Sequence, residues 1–155
     1  MVVKLYQILL FVHVSAAAVW FGGGVMFHVI AERATRSNDT RRISSLLGDA
    51  DFLGKRYFGP ASVVTLIAGV WLVFEGGWGF DHIFILGGLT GVALSTVLGF
   101  GFIEPASRRV TESLAGNATI TNEVKSGLDR IRNISRIDLV VLVAVLFLMT
   151  AKPGS

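Results

Sequence analysis

The chain has 155 residues, of which 52% are hydrophobic and only 16% are charged, with a formal net charge of +3. A soluble domain of this size could not hide that much apolar surface in one core, so the composition predicts an integral membrane protein. The sequence contains no cysteine, which excludes a disulfide framework, a CxxC redox pair and a thiolate metal site.

Four uncharged apolar stretches predict transmembrane helices. A hydrocarbon core of about 30 Å takes about 20 apolar residues at about 1.5 Å per residue. The first and third stretches meet this length, the second does so with its aromatic ends, and the fourth is too short alone. We expect one all-α domain over residues 1–155, a membrane four-helix bundle with short amphipathic cytoplasmic helices and spans over 5–31, 57–76, 82–103 and 137–151.

The first stretch begins like a secretory signal, with Lys4 before an apolar run and small residues at Ser15–Ala18. The apolar run continues well beyond about 15 residues, so a spanning helix is favoured. An imidazole at His13 is costly in the bilayer unless it binds a ligand or hydrogen-bonds to a backbone carbonyl, and both alternatives stay open. Trp20 and three glycines follow His13 on this helix and would leave room for a flat ligand.

A b-type haem is the ligand that this pattern favours, with a metal ion at His13 as the alternative. His28 lies about 22 Å further along the same helix, so the two histidines cannot serve one site. The second axial ligand would come from another helix or another copy of the chain. Met149, near the end of the fourth span, lies at a similar depth and is our candidate.

The connections between the spans predict the orientation. The first and third connections hold six basic residues each, twelve of the fourteen in the chain. Short loops rich in Lys and Arg stay cytoplasmic, so both termini are expected outside a cell's inner (plasma) membrane. The positive charge is explained by topology and by the lipid bilayer as partner. Basic and aromatic residues do not interleave, so we expect no nucleic-acid partner.

Two segments of these connections have helical periodicity. Apolar residues recur with a helical spacing over Asn122–Ile137, which predicts a helix that runs straight into the fourth span. Thr40–Tyr57 has a similar pattern and predicts a short interfacial helix. We expect both to lie as amphipathic lids on the bilayer surface, with a docking surface for a partner as the alternative.

Small residues on the third span predict close helix packing. They recur at every fourth position and form a flat ridge that another backbone can approach. The spacing does not distinguish a partner in the same chain from a second copy, and we expect a homo-oligomer or a membrane complex joined through this ridge. The ridge consists of Gly87, Gly91, Ser95 and Gly99.

A charged layer is expected where the spans reach the cytoplasmic face. Because the fourth stretch is short, Asp138 would lie at or below the membrane surface and pair with Arg56 or Arg33, as would Glu104. This layer is either a clamp at the membrane surface or a relay for protons or ions. Its members are His28, Arg33, Arg56, Glu104, Arg136 and Asp138.

The run from His13 to Gly23 resembles the first helix of copper-resistance-D-type membrane domains and of four-helix membrane protoporphyrinogen oxidases. Other short motifs, Gly69-Val-Trp71 and Glu104-Pro105 among them, look like a related bacterial family of predicted four-helix membrane proteins without assigned function. The haem-linked relatives imply a haem-ligand role for His13. The third span lacks the lysine that the oxidase pattern expects, and the chain lacks the copper family's methionine-rich sites.

Three functions remain open from the sequence. The first is a membrane protein that binds haem b or a metal through His13 for electron transfer or ligand handling. The second is a small proton-coupled or ion transporter that uses the charged layer. The third is a structural or assembly subunit of a membrane complex without chemistry of its own.

Overall fold

The computed structural model describes residues 4–36, 38–116 and 120–153. Within these ranges, four continuous helices are long and apolar enough to cross a membrane. The prediction of an all-α membrane bundle of four helices is confirmed. The elements are α1 Leu5–Arg36, α2 Thr40–Leu53, a first π-helical segment Gly54–Phe58, α3 Gly59–Glu75, α4 Ile83–Thr96, a second π-helical segment Val97–Ile103, α5 Glu104–Gly116 and α6 Asn122–Ala151.

Two of the crossing helices contain a π-helical segment that ends two residues before a proline. Proline lacks a backbone N–H, and its ring clashes with the carbonyl four residues earlier in an α-helix. Immediately before Pro60 and Pro105, the backbone N–H instead donates to a carbonyl five residues back, from Gly59 to Gly54 and from Glu104 to Gly99. The wider turn lets each helix pass its proline, so both run beyond the predicted spans.

The helix ends follow from local residues. Asp39 caps α2, because its side chain accepts hydrogen bonds from the backbone N–H groups of Arg41 and Arg42. Thr121 caps α6 by accepting from the Val124 N–H at 3.3 Å. At the other end of α6, Lys152 has the left-handed φ of 41° and Pro153 follows, which stops the helix.

Neighbouring helices in the bundle are antiparallel. α1 packs against α3 on one side and α6 on the other, and α4 packs against α6. The end of the bundle with Leu5 and Ala151 is called the termini face here, and the end with α2, α5 and the first half of α6 is called the loop face. Large apolar side chains such as Phe11 and Val140 are about 70% exposed, as helices in lipid require (72% and 69%).

The loop face has a hydrophobic core of its own. Ile43 from α2 and Val124 from α6 are 1% and 0% exposed. The expectation that these apolar faces lie on the bilayer surface is wrong, because α2, α5 and α6 cover one another's apolar faces. The predicted continuation of α6 into the fourth span is confirmed. The core consists of Ile43, Leu47, Ala106, Val110, Val124, Leu128 and Ile131.

Candidate functional site

His13 is held by the helix that packs against it. Its Nδ1 lies 2.8 Å from the Thr65 carbonyl oxygen on α3. A carbonyl only accepts, so Nδ1 carries the proton and Nε2 keeps a lone pair. The ring fits because Gly69 stands one turn further along α3, where a Cβ would lie 2.9 Å from the imidazole Cε1. Of the two alternatives for His13, the structure therefore shows the bond to a backbone carbonyl.

The other residues expected around a haem are dispersed. A Cβ on Gly23 would overlap the Phe58 ring, so the space beside that glycine is already filled. Met149 contacts Gly88 on α4, whereas His13 contacts α3. Trp20 is half-buried. No three His, Cys, Asp or Glu side chains among the described residues converge as a metal site.

The ridge of small residues packs inside the chain. A Cβ on Gly87 would overlap Leu148, and one on Gly91 would overlap Val145, both on α6. Ser95 is buried at the same interface, and only Gly99 of the ridge faces open space. The expectation that this ridge joins copies of the chain is therefore wrong for its first three positions. They lie against α6 because the antiparallel helix needs a close approach there.

Asp138 meets the end of this ridge. Its carboxyl is next to the Ser95 hydroxyl, across the interface between α6 and α4. The Oδ1 atom is buried and accepts no hydrogen bond from the described residues. Asp138 also makes no ion pair with them, so its predicted pairing with Arg56 or Arg33 is wrong. The α6 helix turns this carboxylate toward Ser95 on α4.

The ion pairs of the loop face centre on Glu32, near the end of α1. Its two carboxylate oxygens lie 2.9 Å from Arg36 Nη2 and 3.3 Å from Arg136 Nη2. Arg132 Nε is 4.0 Å away and is itself buried. This cluster ties α1 to α6. It differs from the predicted charged layer, because its acid is Glu32 and only Arg136 belongs to the predicted set.

The remaining members of the predicted layer do not join this cluster. Arg33 and Arg56 are exposed, while Glu104 and His28 are half-buried. None of the four makes an ion pair with the described residues. The helix ends are at one end of the bundle, as expected, but these four side chains do not pair there.

At the termini face, aromatic rings surround the start of α4. His82, the residue before α4, lies edge-on to Trp78 with ring centroids 5.3 Å apart. Lys152 Nζ lies 5.4 Å from the Trp78 ring centroid and 5.8 Å from that of Phe84. These contacts hold the end of α6 beside the start of α4.

Residues 7–153 match a family described as predicted integral membrane proteins, DUF2269. The chain belongs to this family. The match covers both the membrane bundle and the loop face. No curated protein and no solved structure matches the chain.

The sequence signals for this DUF2269 chain identify Asp138 but not its neighbour Ser95, and they do not identify Glu32 as the centre of the ion pairs. Ser95 was read only as a packing residue, although its hydroxyl is what distinguishes it from the glycines of the ridge. Glu32 lies among the charged residues at the end of the first span but outside the predicted layer, although Arg36 follows at the i, i+4 spacing typical of a helical ion pair. The contact with Arg132 and Arg136 has no local signal, since it depends on which helix lies beside α1.

Proposed function

We propose that this protein is a small ion transporter that carries protons, with Asp138 taking up and releasing the proton. One observation carries the proposal: inside the crossing helix α6, the Oδ1 of Asp138 is buried without a hydrogen bond or a basic partner among the described residues. Ionisable side chains within membrane helices mark proton and ion pathways more often than other positions do.

The chemistry of a half-buried carboxyl with one buried oxygen supports a proton as the cargo. An ionised carboxylate without a partner is expensive in a low-dielectric environment, so the group holds a proton or a bound cation. One carboxylate and one serine hydroxyl offer too few oxygen ligands for a dehydrated metal ion, which usually takes six or more if it is calcium. A proton needs a single oxygen, and the Ser95 hydroxyl can donate to Asp138 after the proton leaves.

The backbone of α4 beside Asp138 favours a site whose access to the two sides of the membrane can change. The second π-helical segment begins two residues after Ser95. Such segments are frequent at functional positions, because the wider turn is easier to rearrange than a regular α-helix. A shift of this segment would alter how well α4 covers Asp138 and so open the carboxyl to one side of the membrane.

Infrared difference spectroscopy of the purified protein tests the proton on Asp138. We expect a carboxylic C=O stretch that Asp138→Asn removes and that Ser95→Ala moves in frequency. Asp49→Asn is the matched control, since Asp49 is exposed on α2 and forms no ion pair with the described residues. The same spectrum for wild type and Asp138→Asn would contradict the proposal.

Proteoliposomes loaded with a pH-sensitive dye test transport. With a potassium diffusion potential across the membrane, wild type and Asp49→Asn should carry protons, and Asp138→Asn should not. Equal flux from Asp138→Asn and wild type would show that protons pass elsewhere.

We propose haem b or metal coordination by His13 as the second candidate function. The observation that favours it is the bond from Nδ1 to Thr65, because ligating histidines usually donate their other ring N–H to a carbonyl or carboxylate. The second ligand would have to come from another copy of the chain, since Met149 contacts a different helix. The arrangement also fits a histidine that only fastens α1 to α3, as in a structural or assembly subunit.

A visible spectrum of protein purified from haem-replete cells tests this candidate. Haem b gives an intense Soret band, which His13→Ala should abolish and His28→Ala and His82→Ala should leave intact. A colourless and metal-free wild-type protein would remove this function and leave His13 as a structural contact.

A further inference from the structure

A groove on the loop face lies between the second π-helical segment and the first half of α6. It is shallow and open, with a volume of about 530 Å³, within the range of about 300–1,000 Å³ usual for small-molecule sites. Neither Asp138 nor His13 lines it. The lining residues are Leu98, Phe102, Ser126, Asp129, Arg130, Asn133 and Ile134.

The groove has an apolar half and a polar half. Leu98 and Phe102 come from the π-helical segment, which belongs to an apolar stretch of the membrane region, and Ile134 completes this half. Ser126, Arg130 and Asn133 come from the amphipathic part of α6 and offer hydrogen-bond donors. The apolar half could therefore contact the hydrocarbon part of an amphiphile, and the polar half could contact its headgroup.

The charge of the polar half is positive. Asp129, the acidic residue of the lining, is neutralised by Arg132 at 2.7 Å. Arg130 is exposed and makes no ion pair with the described residues. Its guanidinium can bind two oxygens of one phosphate at once. The groove therefore presents an unneutralised phosphate-binding group beside a surface for hydrocarbon.

We propose that this groove binds an anionic phospholipid, with the phosphate on Arg130 and Asn133 and an acyl chain along Leu98 and Phe102. Two features favour a lipid over a soluble phosphate compound. Phe102 is 42% exposed and Phe100, on the same segment, is 56% exposed, so the apolar half is continuous with the lipid-facing surface. An anionic headgroup is favoured over a zwitterionic one because no acidic side chain is free in the groove to receive a choline or ethanolamine cation.

Native mass spectrometry of the purified full-length protein tests the proposal. The protein is mixed with micelles that contain either phosphatidylglycerol or phosphatidylcholine, and the lipids retained per chain are counted. We expect retention of phosphatidylglycerol over phosphatidylcholine, and a weakening of about five-fold in Arg130→Gln, the effect of one basic contact. Arg109→Gln is the matched control, since Arg109 is exposed on α5 outside the groove.

Two further arms separate a lipid site from other anion binding. Phe102→Ala should weaken retention of the lipid, and an excess of inorganic phosphate should not displace it. Equal losses in Arg130→Gln and Arg109→Gln would show diffuse attraction to the basic surface and overturn the proposal. Equal retention of both lipids, displacement by inorganic phosphate, or full retention by Phe102→Ala would overturn it as well.

Discussion

Replacing Gly91 with alanine tests the packing that holds α4 against α6. The new Cβ would overlap the Val145 Cγ2, and the Val145 Cβ itself lies 3.5 Å from that position. Valine is stiff at χ1, so this methyl cannot turn away as the end of a longer side chain can. Overpacking costs about 1–3 kcal/mol, and alanine regains about 0.5–1 kcal/mol over glycine in a helix. We expect Gly91→Ala to lower the free energy of unfolding by about 1–2 kcal/mol.

Titration with SDS in mixed micelles, followed by circular dichroism, measures this change. Gly99→Ala is the matched control, because a Cβ on Gly99 meets nothing within 4 Å although it belongs to the same ridge. It should leave the protein as stable as wild type or slightly more so. In the double variant Gly91→Ala, Val145→Ala, the overlap is gone and most of the loss should be recovered. Equal midpoints for Gly91→Ala and Gly99→Ala would refute the packing of the ridge within one chain.

Three further predictions concern the loop face and the orientation. Ile43→Ala should lower the free energy of unfolding by about 2–5 kcal/mol in a urea titration, whereas Ile67→Ala, 58% exposed on α3, should change it little. Glu32→Gln should lower the melting temperature more than Asp51→Asn, which breaks one exposed ion pair, and the difference should shrink in high salt; equal shifts would show that the arginines find other partners. Since the chain has no cysteine, Phe80→Cys should react with an impermeant maleimide on intact cells and a cysteine at Glu112 only after lysis; the reverse would overturn the predicted orientation.

The membrane part of the fold was predictable because its signal is local. Long uncharged stretches have few alternatives to a crossing helix, and the helical spacing before Asp138 predicted correctly that α6 begins well before its apolar stretch and runs straight into it. The loop face was harder to predict. Amphipathic helices can cover one another or lie on lipid, and the sequence of Thr40–Leu53 has the same pattern in either case. The helix α5 was missed because Pro105 looked like a helix end, whereas the π-helical segment carries the helix past it.

For the candidate site, residue types were easier to predict than partners. The sequence singled out His13 and Asp138 because polar groups are rare in membrane helices. It did not predict that Thr65 and Ser95 would be their neighbours, since both contacts join residues more than forty positions apart. The pairing of Asp138 with an arginine was a sound electrostatic expectation, but the direction of a side chain around a helix also depends on which helix packs beside it.

The separate core of the loop face means that one chain is stabilised in two solvents. Lipid tails are as apolar as the side chains of the crossing helices, so the hydrophobic effect does not drive these helices together. Van der Waals packing and hydrogen bonds hold the bundle together instead. Around Ile43 and Val124, water drives the apolar groups together, as in a small soluble domain. Urea therefore acts mainly on the loop face, and a harsh detergent acts mainly on the bundle. Because α2 continues into α3 and α4 into α5, each through a π-helical segment, a disturbance of one half reaches the other along a continuous helix.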